Sequence, residues 1–182
     1  MTLTDAQMLG HWRRHRGLED ARADCSIELF EGMDINTALR VEMRQWYLNL
    51  LDTAPLRYLQ LTDISSRLTF TPTATAGVWT AALPVDVRRL ITLTLEGAAP
   101  ADVEEANPTG RRAVLNSNPY VRACRHRPTV TVSADRTVTV VCNTLHLPPV
   151  IAAMAVVDPG DELYTFDESA LSLITKTEQY GL

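Results

Sequence analysis

Apolar positions recur at helical spacing only in the first third of the chain. Thr4-x-x-Gln7 has the form of a capping box, in which a threonine hydroxyl and a glutamine side chain reciprocally satisfy the free N–H groups of a helix start. A helix near 5–16 follows, with Met8, Leu9 and Trp12 apolar and His11, Arg13, Arg14, His15 and Arg16 polar. Beyond Gly17, Leu18, Ala21, Cys25 and Leu29 return at three- and four-residue steps up to Gly32, predicting a second, shorter helix. The strongest stripe runs over 35–54, where Leu39, Met43, Trp46, Tyr47, Leu50, Leu51 and Ala54 share one face. Pro55 closes it, since proline disfavours the helical conformation of the preceding residue and has no N–H to donate.

From residue 62 the period shortens. Thr62–Phe70 leads into Thr71-Pro72-Thr73-Ala74-Thr75-Ala76-Gly77, a threonine-rich stretch that predicts an extended hairpin tip between strands. Val78–Leu83 predicts a strand stopped by Pro84. Leu90–Leu95 alternates, with Ile91, Leu93 and Leu95 on one face and Thr92 and Thr94 on the other. Residues 101–119 carry Asp, Glu, Asn and Pro without period and predict a long surface loop. Val130–Ser133 and Thr137–Cys142, joined by Ala134-Asp135-Arg136, predict a hairpin with Cys142 in the core. Val150–Val157 predicts a last strand, Asp158-Pro159-Gly160-Asp161 a turn, and Phe166–Thr177 a C-terminal helix whose charge order suits the helix dipole. The expected fold class is therefore α+β: an N-terminal helical bundle of about three helices over 1–60, then a small, mainly antiparallel β domain with a C-terminal helix over 61–182, as one folding unit.

Composition narrows the picture. At 182 residues one core is the default, and 46% apolar with 21% charged residues is ordinary globular usage. The longest aliphatic run, Val150–Val157, is far short of the ~18–20 residues that a membrane-crossing helix needs. No secretory leader is visible. Three widely spaced cysteines, Cys25, Cys124 and Cys142, without a CxxC pair, suit reduced thiols in a cytosol.

The net charge of −5 opposes a general attraction to nucleic acid. Of the 17 basic residues, Lys176 is the single lysine, and arginine's planar fork is enriched at interfaces. Arg88-Arg89, Arg111-Arg112 and Arg122, Arg125, Arg127 are local basic points, for which the acidic total favours a protein partner. Tyr120, Trp79 and Phe70 read as core residues.

Candidates for chemistry are few. His11 and His15 stand one helical turn apart, as in zinc sites, but arginines surround them and the glutamate of an HExxH motif is missing. A solvated basic face explains them better. Cys124-Arg125-His126 places a thiol beside cations and an imidazole, yet neighbours on an extended chain do not converge as a nucleophile and base do. GxSxG, GxxxxGK[ST] and GxGxxG patterns do not occur, and the carboxylates cluster at Asp102-Glu104-Glu105 and Asp158–Glu162 in turn-like contexts. No cofactor, metal or catalytic residue is assigned.

The order of segments carries a resemblance. Leu83-Pro84-Val85-Asp86-Val87-Arg88-Arg89-Leu90 before an alternating strand, then Asn118-Pro119-Tyr120-Val121-Arg122, Arg127-Pro128, the hairpin at 130–142 and Tyr164-Thr165-Phe166, together resemble the tail-adaptor, or head–tail connector ring, proteins of tailed bacteriophages. The resemblance spans residues 35–170 and implies a non-catalytic protein that docks with copies of itself beneath a portal ring, in a virion or a bacterial cytoplasm. With it, the connections at 71–77 and 101–119 become the expected partner contacts, through Thr71, Thr73, Thr75, Arg88, Arg89, Arg111 and Arg112. No membrane partner and no sequence-specific nucleic acid are expected. Two other classes stay open: an intracellular protein-binding module of a bacterial host, and a small enzyme with a Cys124 nucleophile or a His11/His15 metal site.

Overall fold

The computed structural model describes residues 1–15, 35–107, 109–118 and 120–174. In chain order the elements are β1 (Thr2–Thr4), α1 (Asp5–His15), α2 (Ile35–Thr53), β2 (Thr62–Asp63), β3 (Thr71–Pro72), β4 (Val78–Ala82), β5 (Val87–Leu95), β6 (Ala101–Glu105), α3 (Arg111–Ser117), β7 (Thr129–Val132), β8 (Thr137–Val141), β9 (Val150–Val157) and β10 (Leu163–Thr165). Short 3-10 turns lie at Leu56–Tyr58, Ser65–Arg67 and Glu168–Leu173. The chain divides into two compact units, Met1–Gln60 with Asp158–Leu182, and Leu61–Val157.

In the first unit the capping box forms: the Thr4 amide donates to Gln7 Oε1 at 3.0 Å and the Gln7 amide to Thr4 Oγ1 at 3.4 Å. α1 then buries Met8, Leu9 and Trp12, and α2 buries Leu39, Met43, Tyr47, Leu50 and Leu51, the stripe its 3.6-residue period demands. β1 pairs antiparallel with β10, Leu3 opposite Tyr164. The aromatic groups close the core: Trp12 lies 5.6 Å from Trp46, Trp46 stands edge-on to Phe166 at 6.3 Å, and Tyr47 packs on Tyr164 at 4.9 Å. Tyr47 also completes the hydrogen bonding of β10, its hydroxyl accepting from the Thr165 amide at 2.9 Å and donating to the Thr165 carbonyl at 3.2 Å. Arg44 fastens the segment before β10. Its guanidinium reaches Asp158 at 2.6 Å, the Gly160 carbonyl at 3.0 Å and Asp161 at 3.1 Å.

The second unit is one curled sheet of eight strands in the order β2-β9-β5-β6-β7-β8-β4-β3. β5 and β9 form its longest pair, and three register shifts along that pair add local twist. The curl encloses Val87, Leu93, Leu95, Val138, Val140, Cys142, Ala153 and Ala155, all fully buried. Gly77 fastens the β3–β4 tip to the end of β8, its carbonyl accepting from the Cys142 and Asn143 amides. At φ +78° it takes a conformation that favours glycine, and a Cβ there would sit 2.6 Å from the Asn143 Cα. All neighbouring strands run antiparallel except β6 and β7, which are parallel.

The expected helical bundle followed by a small β domain is therefore corrected: the protein is mostly β. Residues 101–119 are no plain loop, since they contain β6 and α3. β6 alternates only briefly, with Ala101 and Val103 towards the core and Asp102 and Glu104 exposed, before Glu105 breaks the pattern. The edge strands β2 and β3 have two residues each, too few to show a period. The described part of the C-terminal helix expected over 166–177 holds a 3-10 turn at Glu168–Leu173; residues 175–177, and the second helix expected after Gly17, fall outside the described residues. The Val78–Ala82 strand, the alternating Leu93 and Leu95, the 129–141 hairpin and the buried Cys142 match the residue pattern. Among the described residues no helix is long and apolar enough to cross a membrane.

A basic insertion across the parallel strands

Parallel neighbours cannot be joined by a tight turn, so the chain that leaves β6 must travel back before it enters β7. It does so through residues 106–128. That segment holds five arginines, Arg111, Arg112, Arg122, Arg125 and Arg127, and no Asp or Glu, leaving 12 basic against 22 acidic residues elsewhere. By sequence the segment therefore carries +5 in a chain whose remainder carries −10.

The insertion is tied down along its length. The Ala106 amide donates to the Val132 carbonyl at 2.8 Å. Asn116 on α3 accepts from the Ala123 amide at 3.1 Å and from Thr129 Oγ1 at 3.3 Å, linking the helix to the start of β7. Cys124 and Arg127 exchange two backbone hydrogen bonds of 3.1 Å, closing a tight turn. That turn is stitched to the β5–β6 connection, where the His126 ring nitrogen Nδ1 lies 2.9 Å from the Gly97 carbonyl and the Ala99 amide donates to the His126 carbonyl at 3.2 Å.

Several of the insertion's described side chains are exposed. Tyr120 is 92% exposed, and Val114, Val121, Arg122, Arg125 and Arg127 are exposed with it. Arg122, Arg125 and Arg127 make no ion pair among the described residues. Between α3 and the Cys124–Arg127 turn lies a cavity of about 200 Å³ lined by Leu115, Asn116, Val121, Ala123, Arg127 and Thr129. Small-molecule sites run to about 300–1,000 Å³, so this one has room for a side chain rather than a cofactor.

The other predicted contact residues are dispersed. Thr71, Thr73 and Thr75 lie on the β3–β4 tip, but Thr73 Oγ1 is spent within it, on the Thr75 and Val78 carbonyls at 3.1 Å each, and Thr71 Oγ1 lies 3.3 Å from the Thr80 carbonyl. Arg88 and Arg89 begin β5, both partly buried and both engaged in interactions of their own. Beside them Arg67 grips Asp86 with two hydrogen bonds, of 2.9 and 2.5 Å, and so holds the Asp86 carboxyl below the usual carboxylate range. Arg111 and Arg112 open α3 within the insertion.

Of the residues weighed for chemistry, Cys124 is exposed on the insertion, while His11 and His15 are partly buried on α1. Among the described residues no group of three or more His, Cys, Asp or Glu side chains could hold a metal ion. Tyr120, read as core, is the most exposed aromatic residue on the insertion. The missed signal was its company: a proline on one side, and a run of twenty-nine residues without an acid, from Ala106 to Ala134. Trp79 and Phe70 do pack against the core. No protein-family model matches the chain, and no curated protein is similar to it.

Proposed function

We propose that the chain is a non-catalytic assembly protein of the head–tail connector kind, docking on a portal-like ring together with copies of itself, in a virion or a bacterial cytoplasm. The observation that carries this reading is the insertion at 106–128: an acid-free, arginine-rich surface with an exposed tyrosine, fastened at several points to a rigid sheet. Arginine and tyrosine are the residues that dominate interface energetics, and a pre-ordered surface loses little entropy when a partner closes on it. The β3–β4 tip, whose Thr71 and Thr75 are exposed, is a second contact in this reading.

Co-expression with the portal-like protein encoded nearest to the gene tests it, by measuring the mass of the complex that elutes. A discrete assembly holding many copies of the chain is expected. A folded portal that ignores the chain overturns the reading, and a one-to-one complex with a host protein instead makes it a host binding module.

A further inference from the structure

We infer that the cavity between α3 and the Cys124–Arg127 turn is a docking site for an acidic peptide of another protein, one that seats an aliphatic side chain between carboxylates. The inference rests on the reading of the insertion as the docking surface, and deepens it by naming the chemistry that this surface grips. The cavity, of about 200 Å³, is lined by apolar Leu115, Val121 and Ala123 and by polar Asn116, Arg127 and Thr129. Asn116 and Thr129 are already committed to the walls. Asn116 Oδ1 accepts from the Ala123 amide at 3.1 Å and from Thr129 Oγ1 at 3.3 Å, so one oxygen joins three of the lining residues. The Leu115 carbonyl likewise accepts from the Asn118 amide at 3.2 Å. The walls are therefore set before a ligand arrives, and a ligand that fits them loses little to ordering the site.

What is left for a ligand is an apolar surface with a cation beside it. Arg127 is exposed and makes no ion pair among the described residues, and the same holds for Arg122 and Arg125, which stand on either side of Ala123 in the chain. No acid lies between Ala106 and Ala134 to neutralise them within the segment. A guanidinium in that state suits a carboxylate, which its planar fork can meet with two parallel hydrogen bonds. The apolar walls suit a side chain, and pocket-filling anchors ringed by polar contacts carry most of the energy of a protein contact. An aliphatic residue flanked by Asp or Glu meets both demands at once. Nucleic acid meets only the first, since a sugar–phosphate backbone brings no aliphatic side chain to Leu115, Val121 and Ala123, and a long polyanion also meets a remainder of −10.

The test is fluorescence anisotropy of the labelled peptide EEELEEE titrated with the full chain, beside EEESEEE, which keeps the charge and lacks the anchor, and a labelled single strand of about 20 thymidines. In about 0.1 M salt EEELEEE is expected to bind with a Kd below about 1 mM, and EEESEEE at least about tenfold more weakly. At about 1 M salt, where the screening length falls from about 10 Å to about 3 Å, binding of EEELEEE should weaken by at least about tenfold. Arg127→Gln removes the guanidinium at the cavity, and Val121→Asp sets an acid at a wall residue that is 40% exposed. Each, with an unchanged circular dichroism melt, is expected to weaken EEELEEE by at least about tenfold.

Failure of EEELEEE to bind, equal binding of EEESEEE, or binding that both folded variants retain overturns the inference, and the comparison of the two peptides decides it even if a variant misfolds. Tighter binding of the thymidine strand than of EEELEEE, lost in Arg127→Gln, reassigns the arginines to phosphate and likewise overturns it. So does self-association of the chain that excludes the peptide, which gives the cavity to a second copy. The two proposals fail separately. Peptide binding by a chain that ignores the portal-like protein sinks the connector reading alone, while a portal complex that neither excess EEELEEE nor Arg127→Gln weakens sinks only the acidic-peptide site.

Discussion

Removing the Tyr47 hydroxyl isolates the link between α2 and β10. The ring is fully buried against Tyr164 and Phe166, so Tyr47→Phe leaves the packing in place and deletes only the oxygen. That oxygen serves both the amide and the carbonyl of Thr165, at 2.9 and 3.2 Å. Two hydrogen bonds of ordinary net worth, with a half-buried amide left unserved, put the cost at about 2 kcal/mol, or a melting temperature about 4–8 °C lower. The same burial gives a pH signature. It pushes the Tyr47 phenol from the ordinary 10.0 up to about 12, against a smaller opposing effect of the Thr165 hydrogen bond. The folded state therefore holds this proton more tightly than the unfolded chain. Stability is intact below pH 10 and is lost as the pH rises from 10 towards 12, by about 1.4 kcal/mol at pH 11. Urea unfolding at pH 8, 10 and 11, followed by the near-ultraviolet dichroism of the tryptophans, measures both effects. The Phe variant should be weaker at pH 8 and should lose less stability than wild type between pH 10 and 11. Equal stability at pH 8, or an unchanged alkaline slope, would refute the argument.

Substitutions at three further positions probe the sheet unit. Gly77→Ala forces a left-handed conformation and drives a methyl group into the Asn143 backbone, so it should cost about 2 kcal/mol or more in urea unfolding; a cost below about 0.5 kcal/mol would show that the tip yields freely. Arg136, at φ 65°, donates from Nη2 to the Pro84 and Val87 carbonyls at 2.7 and 2.6 Å. Arg136→Ala should therefore cost about 1.5–3 kcal/mol, and Arg136→Gly should be more stable than the Ala variant by about 1 kcal/mol through relief of the backbone conformation. Asp63 Oδ1 accepts from the Ser65 and Ala153 amides, both at 2.9 Å, and the Ala153 bond above all lowers its pKa. Its contribution is present above the unfolded value near 4 and is lost as the pH falls through the lower folded value, so Asp63→Asn should flatten the acid limb of a stability–pH curve, being less stable than wild type at pH 7 and converging with it in acid.

Local chemistry made several elements legible from the residues alone. The capping box at Thr4 and Gln7, the 3.6-residue stripe from Leu39 to Leu51, the stop at Pro55 and the alternation through Leu93 and Leu95 each rest on neighbours a few positions apart, and each is where the pattern places it. β2, β3 and β6 rest on partners far along the chain: Asp63 lies opposite Met154, Thr71 opposite Thr80, and Val103 beside Val130. The edge strands β2 and β3 are too short to show a period, and the alternation of β6 between Ala101 and Glu104 is brief, so their pairing had to come from the sheet as a whole.

The arginines of 106–128 were visible as separate points along the sequence. Their grouping follows from one tertiary fact, the parallel run of β6 and β7, which compels the chain to cross back between them. Composition set how much positive charge the protein carries. The register of two parallel strands decided that five of those charges share one acid-free insertion, because a strand's direction is settled only by the neighbour it pairs with.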